Sequence, residues 1–418
     1  MRDIQLFIKR EILLLLLLFM LFFDFNEKGF YMCFILAFYF ITVKTFSLIN
    51  SFDKLGILLI LFSISYSVIY SSNPEASTAF ILVYAISPIT FYAIGKYFST
   101  KYRSNNVFLF LLLFLSIGYS FLPAISIIYR IIENGFVGDR ALRLLTRNHA
   151  EGGTVLGSYF TMNIAAIGTI FVKSEKINEN KIKFISLGAF IISLLCVLRV
   201  ASRTQLLIAL ISLLVTITYL MLKQPFSKNI RLFLIIAIPL VVIFFSISSD
   251  SAFFNILNQR DNSEEQFSEV GGRTELWGES LKNLTSKPFG WEMSYHNSQN
   301  SKYSHNLWLD VDRVAGIIPM TFLLLYTILC IFLVIKTLKI SPLNLYLNTT
   351  ILVWFIGFMA VFFVEPILVG MYHLFLIFCI FIGILSGLNE TALSYKKKLR
   401  KYPYVNLEYS NENIDNII

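Results

Sequence analysis

Residues 107–129 read VFLFLLLFLSIGYSFLPAISIIY, without one charged side chain. A helix of about 20 apolar residues crosses the hydrocarbon core of a bilayer, so this stretch has the length and composition of a membrane span. Comparable runs recur along the 418 residues, and helices satisfy backbone polar groups inside a bilayer. The sequence predicts an all-α, polytopic membrane helix bundle, with about 12 transmembrane helices in a single integral membrane domain over residues 1–418.

The composition excludes other classes of protein. Apolar residues make up 56% of the chain, charged residues make up 15%, and the mean hydropathy is +0.69. A soluble domain has about 25% charged residues. Because so few polar side chains cannot cover a water-facing surface, a soluble globular protein, a disordered chain and a disulfide-rich secreted domain are excluded.

The predicted spans lie near 5–23, 30–49, 55–70, 78–95, 107–129, 153–172, 184–200, 205–222, 232–248, 314–335, 349–364 and 368–387. Lysine-rich connections alternate with the others, and lysine-rich loops stay on the cytoplasmic side. Both termini are therefore predicted to be cytoplasmic, including the tail 388–418. The opposite, outer face then carries two sizeable loops, at 130–152 and 249–305, and two tight turns, near 200–204 and 365–368.

Arginine is distributed unevenly between the two faces. The net charge is +9, and the inner side holds 17 Lys and 5 Arg while the outer side holds 4 Lys and 9 Arg. The inner lysines follow the positive-inside rule, so the basic charge predicts no nucleic-acid partner. The outer arginines oppose that rule, and the planar guanidinium grips phosphate or carboxylate with two hydrogen bonds. The outer face is therefore predicted to hold an anion, with phosphate favoured.

Sequence spacing groups these arginines. Arg140, Arg143 and Arg147 stand at i, i+3 and i+7, and would share one stripe if that stretch is helical. Arg199 and Arg203 stand at i and i+4 where the seventh span ends, so their like charges repel unless an anion offsets them. The alternative is that these arginines meet lipid head groups or pair with acidic neighbours, namely Glu133, Asp139 and Glu151.

The loop 249–305 contains two further candidates. Apolar residues at helical spacing predict a short surface helix that begins at Arg273 and ends before Pro288. An anion at the N-terminus of that helix would satisfy both Arg273 and the backbone N–H groups. His305 lies where the loop re-enters the membrane, and a neutral imidazole there can accept a proton near pH 7. The alternative for His305 is a plain interfacial histidine.

Other patterns are weak or missing. Asp310-Val311-Asp312 matches a metal-binding D-x-D pattern, but three-residue motifs are unspecific and this one lies on the outer face. The sequence contains no P-loop, Rossmann glycine motif, H-E-x-x-H or G-x-S-x-G motif. No cofactor and no metal site are predicted.

Three short motifs agree in order, spacing and side of the membrane: Ser202-Arg203-Thr204; Gly272-Arg273 with Trp277 and Pro288-Phe289-Gly290; and His305-Asn306 with Leu309 and Gly316. They resemble the arginine turn, the start of the large periplasmic loop and the loop-terminal histidine motif of the O-antigen polymerase and O-antigen ligase family. That family consists of bacterial inner-membrane proteins. The motifs cover about residues 140–316, and the hydropathy profile fits over the whole length.

The resemblance implies a substrate and a reaction. The substrate would be an oligosaccharide carried on undecaprenyl pyrophosphate, taken from the membrane lipid at the periplasmic face. The reaction would be an inverting, metal-independent glycosyl transfer, with His305 as general base and Asn306 in support. Arg203 and Arg273 would hold the pyrophosphate leaving group, and four more of the outer arginines would add to this clamp: Arg140, Arg143, Arg147 and Arg199. A chain-length regulator protein is a candidate partner.

The acceptor distinguishes the two activities of the family. A polymerase joins the chain to another lipid-linked repeat unit, whereas a ligase transfers it to lipid A-core. The stretch Leu307-Trp308-Leu309-Asp310, followed by 314–319, is more similar to polymerases. Ligases often carry an acidic residue after His-Asn, where this chain has Leu307. A polysaccharide transporter or flippase is a remoter alternative, because transporters place polar groups near the bilayer midplane in repeated halves.

Overall fold

The computed structural model describes residues 2–24, 28–72, 76–136, 140–147, 149–172, 177–223, 273–290, 304–340 and 343–401. These residues form sixteen α-helices: α1 (Arg2–Phe23), α2 (Gly29–Thr42), α3 (Thr45–Ile49), α4 (Lys54–Tyr70), α5 (Thr78–Lys101), α6 (Asn105–Asn134), α7 (Gly153–Ser158), α8 (Thr161–Ala165), α9 (Ile177–Arg199), α10 (Arg203–Lys223), α11 (Arg273–Ser286), α12 (Leu307–Ala315), α13 (Ile317–Thr337), α14 (Leu345–Val364), α15 (Ile367–Gly370) and α16 (Tyr372–Lys401). A 3-10 helix, Ala166–Phe171, follows α8, and a two-stranded hairpin pairs β1 (Leu142–Arg143) with β2 (Ala150–Glu151).

The helical membrane fold predicted from the sequence is confirmed. Seven of the described helices are long and apolar enough to cross a bilayer, namely α5, α6, α9, α10, α13, α14 and α16. Helix α1 is of similar length, but Lys9, Arg10 and Glu11 interrupt its apolar run. The total of about 12 spans stays a prediction, and the expected span 232–248 lies outside the described residues.

Three predicted spans are divided into shorter pieces. The run 30–49 breaks at Val43 and Lys44 into α2 and α3, and the run 153–172 forms α7, α8 and the 3-10 helix. The re-entry segment is also two helices, because Gly316 ends α12 with a φ of 82° before α13 begins. Glycine has no Cβ and adopts positive φ without strain, so it can turn the chain sharply at this point.

Helices α5 and α16 form the closest pair in the core. A Cβ on Gly95 would lie 2.0 Å from the carbonyl oxygen of Ile380, and a Cβ on Gly383 would lie 2.1 Å from that of Tyr92. Membrane helices gain little from the hydrophobic effect against lipid, so their association depends on such close van der Waals contact between small residues. This pair is the spine of the described bundle.

Basic residues predicted for the inner side collect at one end of this spine. Lys96 is buried and binds both Asp53 and Glu390, at 2.7 and 2.6 Å. Lys101 pairs with the buried Glu11 of α1. The arginine turn and His305 lie at the other end, described below. Residues predicted for the same side therefore share one end of the bundle, and the membrane side of each end stays a prediction.

Candidate active site

The arginine turn joins α9 to α10, as predicted. Helix α9 ends at Arg199 and α10 begins at Arg203, and Ala201 adopts a φ of 50° between them. Arg199 is buried, whereas Arg203 is exposed at the first position of its helix. The N-terminus of a helix carries unpaired N–H groups and a positive partial charge. The turn therefore combines a guanidinium with a helix end that attracts anions.

Arg140 supports this turn from the side. Its Nε and Nη2 atoms donate to the carbonyl oxygens of Val200 and Ala201, each at 3.2 Å. These carbonyl groups follow the C-terminus of α9, where cations are favoured by the helix dipole. The Arg140 side chain thus holds the shape of the arginine turn.

Arg143 and Arg147 belong to the hairpin, so a shared helical stripe is wrong for 140–147. Ladder bonds pair Arg143 with Ala150, and the Nε of Arg143 donates to the carbonyl oxygen of Arg147 at 2.7 Å. The guanidinium of Arg147 lies between two buried carboxylates, Asp24 and Glu151. The pairing with Glu151 is the alternative that the sequence left open, and Asp24 was not foreseen.

His305 lies in a tightly bonded turn before α12. Asn306 is the N-cap of α12, and its Oδ1 accepts the N–H of Leu309 at 3.2 Å. The carboxylate of Asp310 accepts the N–H of Ser304 at 2.8 Å and the N–H of Asn306 at 3.3 Å. His305 itself adopts a φ of 50°, in the left-handed region. The imidazole is thus carried by a turn with little freedom to move.

Glu365 connects the histidine turn to the arginine turn. Its Oε2 lies 3.8 Å from Nδ1 of His305, and its Oε1 accepts the hydroxyl of Thr204 at 3.2 Å. Glu365 is 1% exposed, while His305 is 32% exposed. The carboxylate therefore lies behind the imidazole, and the imidazole can meet a substrate. Because Thr204 follows Arg203, the two sequence motifs are brought to one place.

Helix α11 attaches to the same turn. Nε1 of Trp277 donates to the carbonyl oxygen of Ser304 at 2.7 Å, and the hydroxyls of Ser280 and Ser304 lie 2.7 Å apart. The helix begins at Arg273, as predicted, although the side chain of Arg273 lies outside the described residues. Contacts with Ser304 and Glu365 thereby link described residues of all three sequence motifs, namely Trp277, Thr204 and His305.

Two buried carboxyl groups of α12 have unusual acidities. This helix lies outside the seven spans. Burial raises the pKa of Asp310 to about 7, while the Ser304 N–H, the charge of His305 and the Asn306 N–H act in the opposite direction. Burial also raises the pKa of Asp312 to about 6. Of the two, Asp310 is the one that contacts the backbone on both sides of the accessible imidazole, and a perturbed carboxyl group in such a position is typical of functional sites.

Sequence reasoning missed Glu365 and gave Asp310 no role at the site. Glu365 is the only charged residue between Leu345 and Leu388. An ionisable residue in so apolar a stretch is expected to be functional. That rule, applied to the tight turn near 365–368, could have identified it.

Residues 188–318 match the family model described as O-antigen ligase, Wzy_C. This segment is similar to the O-antigen ligase family, and the resemblance to the O-antigen polymerase and ligase family that was predicted from the sequence is confirmed. The matched segment includes Arg203, Arg273 and His305. No curated protein sequence matches the chain.

Proposed function

We propose that this protein is an O-antigen polymerase of the bacterial inner membrane. It transfers a glycan from undecaprenyl pyrophosphate to a hydroxyl of another lipid-linked repeat unit, at the periplasmic face. The observation that carries the proposal is the link through Glu365, which joins His305 to the arginine turn within a few ångströms. The family match supports a glycosyltransferase of this type.

His305 is assigned as the general base. Glu365 lies beside Nδ1, and Nε2 is assigned to the acceptor hydroxyl. Nε2 takes the hydroxyl proton while the hydroxyl oxygen attacks the anomeric carbon of the donor sugar. The bond from that carbon to the diphosphate oxygen breaks, and its electron pair leaves with undecaprenyl pyrophosphate. Attack from the opposite face inverts the anomeric centre. The buried carboxylate stabilises the imidazolium that forms, in the manner of other oriented acid–base pairs.

The arginines take different parts in this scheme. Arg203, Arg199 and Arg273 bind the diphosphate and stabilise the charge that develops on it as it leaves. Arg140 and Arg147 have a positioning role, because their guanidinium groups already bind the arginine turn and the Asp24–Glu151 pair. Arg143 extends the basic surface along the hairpin. No metal ion enters the proposed reaction.

Transfer to lipid A-core is the second candidate function. It is favoured by the description of the matching family model, which names ligases. The same base and the same arginines would serve both reactions, because the donor is shared. The two functions differ only in the hydroxyl that reaches Nε2 of His305.

The surface glycan of a deletion strain tests the proposal. Complementation with the wild-type gene is expected to restore long chains, whereas His305→Ala leaves glycans of one repeat unit at a normal protein level. His149→Ala is the matched control, because His149 is exposed on the hairpin and is expected to support long chains.

Three other results would contradict the polymerase. Long lipid-linked chains that never reach lipid A-core would indicate a ligase. Lipid-linked units retained on the cytoplasmic leaflet would indicate a flippase. Long surface chains made by the His305→Ala variant would remove the general base from the scheme.

A further inference from the structure

The turn that carries His305 is closed by one carboxylate from the helix that follows. Oδ1 of Asp310 accepts the N–H of Ser304 at 2.8 Å, and Oδ2 accepts the N–H of Asn306 at 3.3 Å. These N–H groups belong to the residues on either side of His305. Asp310 is 4% exposed, so water does not compete effectively for these bonds.

This arrangement explains the backbone of His305. A residue with a side chain adopts a φ near +50° only with steric strain, and such a conformation persists when its surroundings hold it. Successive N–H groups on either side of a left-handed residue form a concave site that binds an anion. In this protein the anion is the side chain of Asp310, supplied one turn into α12.

The opposite side of the turn is held by α11. Trp277 binds the carbonyl oxygen of Ser304, and Ser280 lies 2.7 Å from the Ser304 hydroxyl. Among the described residues, Asp310 is the one that binds the N–H groups on both sides of the histidine. Replacing Asp310 therefore removes two hydrogen bonds that hold the backbone around His305.

We propose that Asp310 is a positioning residue, whose carboxylate sets the backbone of His305 so that Nε2 faces the acceptor and Nδ1 faces Glu365. This inference rests on the proposed function. It assigns no substrate contact to Asp310. Removal of the carboxylate is expected to slow the chemical step and to leave donor binding unchanged.

Asp312 provides a matched control. It lies two residues further along α12 and is 0% exposed. Neither of its carboxylate oxygens accepts a hydrogen bond from the described residues. Asp312→Asn changes a buried acid of the same helix without touching the His305 turn. Asp310→Asn keeps the shape of the side chain but replaces one acceptor oxygen with a donor that faces another N–H donor.

The first experiment measures chain extension by purified protein in lipid vesicles, with lipid-linked repeat units extracted from the deletion strain. At metal sites, mutation of the residues that orient a ligating side chain typically lowers activity by about 10- to 100-fold. We expect a loss on the same scale for a residue that orients a reacting side chain. Asp310→Ala is expected to lower kcat by about that factor, with the KM for the lipid-linked donor unchanged. Asp310→Asn is expected to lower kcat to a lesser extent, and Asp312→Asn to remain near the wild-type value. A rise in KM alone, or equal losses in Asp310→Asn and Asp312→Asn, would overturn the assignment.

The second experiment needs no substrate. Diethyl pyrocarbonate modifies accessible imidazoles, and mass spectrometry reports the rate at His305 and His149 separately. Asp310→Asn is expected to change the rate at His305 severalfold and to leave the rate at His149 unchanged. Equal rates at His305 in wild type and variant would contradict the inference. If the wild-type protein extends no chains but the His305 rate still responds, the proposed function fails while the positioning role of Asp310 stands.

Discussion

Nδ1 of His305 lies 3.8 Å from Oε2 of Glu365, across a separation of 60 residues in the chain. The distance is too long for a direct hydrogen bond but short enough for strong attraction once the imidazole is charged. The carboxylate is buried and the imidazole is partly exposed. Such a difference in exposure suits a general base, because the exposed imidazole can reach a substrate proton while the buried carboxylate stabilises the imidazolium that forms.

Glu365→Gln is therefore expected to lower the rate of chain extension by about 100-fold, the lower end of what a general acid–base group contributes. The amide keeps the contact with Thr204 but carries no charge for the imidazolium. Glu365→Asp is expected to retain part of the activity. The measurement is single-turnover extension of a radiolabelled lipid-linked repeat unit by purified protein.

Glu390→Gln is the control for that experiment. Glu390 also lies near the end of an apolar stretch and pairs with Lys96, but at the other end of the bundle. It is expected to leave the rate unchanged. A Glu365→Gln enzyme as fast as the wild type would show that the imidazole works without the carboxylate.

Arg203→Lys is expected to reduce activity strongly, although the substitution keeps the positive charge. Lysine keeps the charge but cannot bind two phosphate oxygens in the planar fork of a guanidinium. Loss of one such contact to developing negative charge costs about 100- to 1,000-fold in rate. The readout is kcat and KM for the lipid-linked donor.

Arg130→Lys is the matched substitution for Arg203→Lys. Arg130 is a partly exposed arginine near the end of α6 and pairs with Glu133 at 2.9 Å. Exposed pairs of this kind contribute little to stability, so full activity is expected. If Arg203→Lys and Arg130→Lys behave alike, the bidentate phosphate contact is wrong.

The sequence predicted the helical segments of this protein better than the contacts between them. Hydropathy located the seven described spans, and loop length located the turn between Arg199 and Arg203. The contacts of Glu365 with Thr204 and His305 join residues 161 and 60 positions apart, and no periodicity within one helix reports such pairs. The hairpin at 142–151 was missed because the i, i+3, i+7 spacing of its arginines is also typical of a helix. Pairing of Arg147 with Asp24 spans 123 positions and was equally hidden.

The ionisation of Asp312 is expected to lower the stability of the protein as the pH rises from 3.8 to about 6. Burial raises the pKa of Asp312 from 3.8 to about 6. Between these two values the folded state keeps a proton that the unfolded state has released, so raising the pH favours unfolding. The destabilisation is complete above pH 6 and absent below the unfolded pKa.

Asp312→Asn isolates this effect, because it removes the buried charge. The variant is expected to be more stable than wild type at pH 7.5, by on the order of 1 to 3 kcal/mol, with the difference shrinking towards pH 5. Thermal unfolding in detergent at both pH values measures it. Asp3→Asn, at an exposed position of α1, should follow the wild-type pH dependence. If Asp312→Asn kept the pH dependence of stability of the wild type, a buried carboxyl group that ionises at this position would be contradicted.

The close packing of α5 against α16 gives a prediction that is independent of catalysis. A Cβ on Gly383 would lie 2.1 Å from the carbonyl oxygen of Tyr92, whereas a Cβ on Gly188 of α9 meets nothing within 4 Å. Gly383→Ala must push the two helices apart, and overpacking of this kind costs about 1 to 3 kcal/mol. Gly188→Ala avoids that cost and gains the higher helix propensity of alanine, up to about 1 kcal/mol. The same chemical change is therefore expected to move the unfolding temperature in opposite directions at the two positions. Equal shifts in the same direction would mean that the α5–α16 contact is looser than the backbone distances require.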